Sequence, residues 1–170
     1  MRTTLLFCTL AILLFCTDCS NVPVPDELKT LYPVTIIVTD GNQAIEGVAV
    51  SLSAKTSGGA WASCGVTNVK GVAVIQTSRA SYTGKGAPAG DYKVILIKTV
   101  KLPPELEPQE EDQRLAPQAA TAKQAKLEAF YEKNRVIPKI LENSNTSPIE
   151  LMVAEKDAAI LTIDIAQYKK

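Results

Sequence analysis

The sequence predicts an all-β domain, a seven-stranded antiparallel Ig-like β-sandwich carrying one helical insertion. Three observations carry that expectation. Short runs of β-branched and aliphatic residues alternate with polar residues at period two, the spacing of a half-buried strand. Clusters of Gly, Asp, Asn and Pro punctuate these runs at short intervals, as in a sandwich rather than in alternating strands and helices. One stretch, residues 101–135, breaks the pattern: proline and acidic residues there give way to helix formers.

Pro33 opens the first run, PVTIIVTD, in which Val34, Ile36 and Val38 alternate with Thr35, Ile37 and Thr39. Asp40-Gly41-Asn42 ends it, because Gly and Asn tolerate the positive φ of a tight turn. GVAVSLSA follows with Val48, Val50 and Leu52 inward, and is expected to pair with the first strand. KTSGG breaks the chain and AWASCGVT gives a third strand. NVKG turns, and VAVIQT gives a fourth strand with Val72, Val74 and Gln76 on one side. Residues 78–88, SRASYTGKGAP, read as a mobile loop. Ala89-Gly90-Asp91 then aims YKVILIKTV at the core with Tyr92, Val94 and Leu96 on one face. The Tyr92 hydroxyl is placed at the rim to cap a loop.

Residues 101–135 form the insertion. Its first part, KLPPELEPQEEDQR, has too little apolar surface to pack. The second part predicts a helix over about 118–134, leaning on the sheet by Leu127, Phe130 and Tyr131 at helical spacing. Strand signal returns in SPIELMVAE, with Ile149, Leu151 and Val153 inward, and in AILTIDIAQ, with Leu161, Ile163 and Ile165 inward. At roughly 1.5–3 kcal/mol per buried aliphatic side chain, these rows offset most of the ordering entropy without disulfides.

The N-terminus is read apart from the domain. Arg2 precedes the apolar run LLFCTLAILLFC, too short for the about 20 residues a spanning helix needs and suited to a signal peptide over residues 1–18. Asp18 occupies a position where an ordinary cleavage site wants a small residue. The reading is therefore a lipoprotein leader ending at Cys19, with Cys16 as the alternative lipid-bearing residue, and plain secretion as the second option. Residues 19–32 form a tether and 33–167 the sandwich. Cys8 and Cys16 fall in the leader, so Cys64 is alone in the mature domain and is expected to be a small buried hydrophobe. A Cys19–Cys64 bridge requires an unacylated Cys19.

Composition narrows the chemistry. Eighteen basic and eighteen acidic residues cancel, which leaves no electrostatic footprint for nucleic acid. The chain has no histidine, which removes Ser-His-Asp and Cys-His nucleophile activation and His-bearing zinc sites. The acids Asp40, Asp91 and Asp157 lie in turns. Glu105, Glu107, Glu110, Glu111 and Asp112 lack the preorganised spacing of a calcium loop and read as a solvated linker. No cofactor, no metal and no enzymatic activity are expected. Trp61 and Tyr82 are the candidate ligand-contact residues: with Tyr92 they could offer rings to a glycan or peptide, against the plainer reading of rim packing. The Lys–Asn cross-link of surface-adhesin sandwiches has no residues here, since 34–39 holds no Lys and 159–166 no Asn.

Five stretches occur in an order similar to that of a known group: YPVTIIVTDGNQAIEGVAVSL, GVTNVKGVAVIQT, GAPAGDYKVILIK, IPKILENSNTSPIELMV and AILTIDI. They resemble small bacterial lipoproteins of the carboxypeptidase-regulatory-like, transthyretin-like group, of the planctomycete type. The resemblance covers residues 32–100 and 136–165, and departs at Ala44-Ile45, Asn68 and Ile140-Leu141. It implies a transthyretin-like topology in an envelope-exposed lipoprotein and carries no catalytic or binding residues with it. The one enzymatic use of that fold, hydrolysis of a purine-breakdown product, depends on histidines, which this chain lacks. The function expected is a non-enzymatic, lipid-anchored envelope protein, on the outer membrane or the periplasmic face, acting as a structural or protein-interaction module. The alternative is a secreted or tethered carbohydrate- or peptide-binding domain using Trp61 and adjacent loops. The membrane and an envelope protein or glycan are the expected partners.

Overall fold

A computed structural model describes residues 30–56, 61–79, 81–107 and 117–169. The leader, both lipidation candidates (Cys16 and Cys19) and the acids Glu110, Glu111 and Asp112 lie outside them. The strands are β1 (Leu31–Tyr32), β2 (Val34–Asp40), β3 (Gln43–Ala44), β4 (Ala49–Ala54), β5 (Ala62–Val66), β6 (Val72–Val74) and β7 (Gln76–Arg79). They continue with β8 (Tyr82–Lys85), β9 (Ala87–Pro88), β10 (Gly90–Ile97), helix α1 (Pro117–Asn134), β11 (Glu150–Val153) and β12 (Ala159–Asp164). One sheet runs β11-β10-β4-β5-β7-β8; the other runs β12-β2-β3, with β6 also on β2, and β1 pairs with β9 in a short ribbon.

Alternation explains which faces close on each other. In the large sheet Val94 lies opposite Leu52, Leu96 opposite Val50 and Tyr92 opposite Leu151. In the small sheet Ile36 stands beside Leu161 and Val38 beside Ile163. These inward residues from the two sheets form a single buried apolar cluster, with Leu161 partly buried against it. Ile137 and Leu141, on the segment between α1 and β11, join it, both almost fully buried. Strands of period two thus bury one row each, apolar but for Ser63 and Thr77.

Several expectations need correction. The seven expected strands correspond to β2, β4, β5, the β6–β7 pair, β10, β11 and β12, and the chain adds β1, β3, β8 and β9. Among the described residues pairing is antiparallel except between β12 and β2, which run parallel. Hairpin logic sets direction only for strands adjacent in sequence, and these two are far apart. Nor do β2 and β4 pair: β4 bonds to β10 and β5 in the other sheet. The chain changes sheets at Ile45–Gly47, where Gly47 has φ +71°. Thr67 pins that corner, donating to the Ile45 carbonyl at 2.7 Å and accepting the Val48 N–H at 2.8 Å.

The fourth strand is out of phase by one residue and broken at Ile75. Ala73, Ile75 and Thr77 are fully buried, while Val74 is 54% exposed. Val72 to Ile75 is apolar throughout, so no polar residue marks the outward positions. The break lets β6 pair with β2 and β7 with β5, so one run serves both sheets. Gly65 allows the close approach: a Cβ there would lie 2.7 Å from the Val74 carbonyl oxygen.

Residues 78–88, expected as a loop, are mostly ordered strand, forming the end of β7, then β8 and β9. Leu31 and Tyr32, expected in the tether, instead pair with Pro88 and Ala87. The helix matches its expected span to within a residue, with Leu127 and Phe130 half-buried and Tyr131 exposed. Arg135, just past its end, forms ion pairs with Glu132 at 2.9 Å and with Glu142. Cys64 is exposed, not buried: the alternation of β5 turns Ser63 inward and Cys64 outward, between Ser51 and Gln76.

Candidate functional site: an aromatic corner beside the chain entry

The β7–β8 hairpin sets Arg79 opposite Tyr82. On the other side of β7, Ala62 lies opposite Ser78, which brings Trp61, one residue earlier, to the level of Arg79. Three side chains from three neighbouring strand ends therefore meet. The Trp61 and Tyr82 ring centroids are 6.2 Å apart with the planes at 90°, an edge-to-face contact. The Arg79 guanidinium carbon stands 5.2 Å from the Trp61 ring centroid, a cation–π arrangement. All three side chains are half-buried. The two candidate ligand-contact residues, Trp61 and Tyr82, are thus brought together, with Arg79 over one face of the indole.

The corner continues into the place where the chain enters the domain. A Cβ on Gly84 would lie 2.5 Å from Leu31 Cδ1 and 2.7 Å from the Tyr82 hydroxyl, so these two side chains converge over the bare backbone of Gly84. Lys85 closes β8 with its side chain exposed. Arg79, Lys85 and Leu31 were not among the residues singled out from the sequence. The signal was present: Arg79 and Tyr82 flank a two-residue connection, the length of a tight hairpin.

Tyr92 does not join this group. It is 6% exposed and its hydroxyl donates to the Pro88 carbonyl at 2.8 Å. Burial raises the pKa of its phenol above the usual value. It caps the β9 loop, as its rim position suggested. A second buried polar chain lies beneath the corner: Thr77 donates to the Gly86 carbonyl at 2.7 Å and contacts the Ser63 hydroxyl at 2.7 Å. Thr77 has one proton, so Ser63 is the donor of the pair.

Elsewhere charge is used structurally. Glu150 accepts from Lys55 at 2.6 Å and Lys93 at 2.8 Å on the outer face of the large sheet. Their hydrogen bonds and charge hold its carboxyl at about 2. Lys169 pairs with Asp40, and Asp164 accepts the Gly41 N–H at 2.7 Å, tying the C-terminal turn to the β2–β3 turn. Among the described residues no group of three or more His, Cys, Asp or Glu could hold a metal ion. Among them, too, no helix is long and apolar enough to cross a membrane. The corner brings an indole, a guanidinium and a phenol together at one end of the large sheet.

No family model matches the chain, and no curated protein matches it. Among solved structures, the chain is similar to the major pilin subunit of Bacillus cereus, with 16% identity and a TM-score of 0.39 over 79% of this chain. The match spans 30% of the pilin's own length, a likeness too slight to carry an argument about role.

Proposed function

We propose that the chain is a non-enzymatic, lipid-anchored β-domain of the cell envelope that serves as a structural or protein-interaction module, related to the transthyretin-like lipoproteins its motifs resemble. The outer face of the large sheet is the observation that carries this reading. Register sets Ser53, Ala62, Ser78 and Thr83 in one row across four strands, and Ser51, Cys64 and Gln76 in the next. Lys93 and Lys85 continue the two rows, opposite Ser53 and Gln76, so the face offers short polar side chains between charged ends for contact with another protein. Crosslinking with membrane fractionation in the native cell tests it, alongside labelling with a palmitate analogue. The expected result is a labelled, membrane-bound chain that crosslinks to an envelope protein, and loses that crosslink in Ser53→Arg. An unlabelled chain, or a Cys19→Ser variant that stays fully membrane-bound, counts against the anchor.

The edge-to-face meeting of Trp61 and Tyr82 favours a second reading, a carbohydrate- or peptide-binding domain using that corner. Arg79 over the indole and Tyr82 at right angles to it hold the ring in one orientation beside the loop. Reproducible binding on a glycan array, lost in Trp61→Ala with the fold intact, promotes this reading over the first.

A further inference from the structure

We propose that β12 is a docking edge for a second copy of this chain, the two strands pairing antiparallel about a two-fold axis through Leu161. The proposal goes beyond the reading above: it needs neither the lipid anchor nor the outer face of the large sheet.

Backbone bonding is the first argument. β12 ends the small sheet, with β2 on one side and no strand on the other. Its Ala159 N–H donates to the Pro33 carbonyl at 2.9 Å, on the β2 side. Successive residues of a strand turn their N–H and C=O to opposite sides, so Leu161 and Ile163 also face β2 while Ile160 and Thr162 face outward. Among the described residues those outward groups meet no partner.

Contrast with the other edges is the second argument. Natural sheets blunt a free edge with short strands, Lys, Pro or bulges. β3 and β6 are two and three residues long. β8 has four residues, ends in Lys85 and has Leu31 against its Gly84. β11 has four residues and carries Glu150, paired with Lys55 and Lys93. By contrast β12 runs for six residues, AILTID, with no Lys, Pro or Gly and an unbroken register on β2. Its one charge, Asp164, sits at the far end and is occupied: Oδ1 accepts the Gly41 and Ala166 N–H groups at 2.7 and 3.0 Å.

Self-complementarity selects the occupant. With Leu161 on the axis, Ile160 lies opposite Thr162 of the second copy, and Thr162 opposite its Ile160. The outward N–H and C=O groups of these residues are then all used, in four hydrogen bonds between the strands. Asp164 falls opposite Ala158, so no like charges meet. Leu161, partly buried at the border of the core, gains its own copy as a neighbour. Ile160, 70% exposed, gains a β-branched one. Such a two-fold pairing closes on itself and leaves neither edge open to a third copy. A single strand pair is a small interface, so the dimer forms reversibly.

Residue-resolved hydrogen exchange on the purified full chain in mild detergent tests this, over a concentration series followed by sedimentation. The Leu161 and Ile163 amides should be protected at every concentration. Those of Ile160 and Thr162 should exchange freely at dilution and become protected as the dimer appears. Thr162→Pro deletes an N–H that faces away from β2, so the fold is kept and two of the four bonds are lost. At about 1 kcal/mol per bond, the dimer Kd should rise about thirtyfold. Ile160→Lys guards the edge by charge with the backbone unaltered, and should weaken the dimer too. Under oxidation, Leu161→Cys should yield a disulfide joining position 161 of both copies, mapped by mass spectrometry, because residues facing across the axis bring their Cα atoms close. Ile160 and Thr162 amides that stay unprotected while a dimer forms place the contact elsewhere and overturn the proposal. Their protection in a dilute monomer overturns it as well, since a segment of the same chain then holds the edge. No dimer at any concentration leaves the edge to another protein and overturns it, as does a folded Thr162→Pro or Ile160→Lys chain that dimerises like wild type. None of these results bears on the large-sheet reading, whose readout is the crosslink lost in Ser53→Arg.

Discussion

Replacing Thr77 by valine keeps the shape of a fully buried side chain and deletes one hydroxyl. That hydroxyl donates to the Gly86 carbonyl and accepts from Ser63, each at 2.7 Å. Thr77 is 0% exposed and Ser63 5% exposed, so water does not replace the lost bonds. Valine strands two groups, the Gly86 carbonyl and the Ser63 hydroxyl. At about 1–3 kcal/mol per buried orphan, the expected loss is about 2–6 kcal/mol, against a total stability of about 5–15 kcal/mol. Ser63→Ala alone strands nothing of that kind, because Thr77 keeps its bond to Gly86, and should cost about 0.5–1.5 kcal/mol. In the double variant only the Gly86 carbonyl is orphaned. It should therefore be more stable than Thr77→Val by about 1 kcal/mol, even though it carries one more substitution. Urea unfolding at constant m-value measures all four proteins. A Thr77→Val loss below about 0.5 kcal/mol, or a double variant equal to the sum of the singles, refutes the buried coupling of these two hydroxyls.

Three further predictions concern other parts of the fold. The Glu150 carboxyl is depressed from 4.5 to about 2 by Lys55 and Lys93, so its contribution is present above the unfolded-state pKa and is lost as pH falls from about 4.5 toward 2. Glu150→Gln should flatten the pH dependence of Tm in that window and leave it unchanged between about pH 6 and 8; an unaltered acid limb speaks against the pairing. Gly86→Ala should destabilise far more than Gly41→Ala. Gly86 has φ +103° and its new Cβ would fall 2.2 Å from the Tyr32 carbonyl oxygen, whereas Gly41, at φ +61°, has nothing within 4 Å. Thermal unfolding that ranks the two alike would remove the steric argument. Leu141→Ala should cost about 2–5 kcal/mol, because Leu141 is 0% exposed in the shared core; a loss below about 1 kcal/mol would mean that the segment after α1 does not seal it.

The inward rows were legible wherever polar residues marked the opposite face. Val34, Ile36 and Val38 alternate with Thr35 and Thr39, and Val48, Val50 and Leu52 with Ser51 and Ser53, and each row is buried as read. Where the run was uniformly apolar, as in Val72 to Ile75, the phase was lost. Glycine misled in the other direction. Gly84 and Gly86 read as loop, whereas Gly84 makes room for Leu31 and Gly86 turns the chain under Tyr32. At the corner, Trp61 and Tyr82 were visible by residue type, but Arg79 joins them only through strand register.

Period and turn chemistry act between near neighbours, so the strands, their inward faces and the helical insertion could be read from residue order. So could the absence of imidazole chemistry, which needs only a count. Which strands lie side by side is a different matter. The parallel union of β12 with β2, the parting of β2 from β4, and the meeting of Trp61, Arg79 and Tyr82 all join residues through paths of chain with no local signature. They are fixed by how two sheets bury a single aliphatic core, a choice made by the whole chain at once.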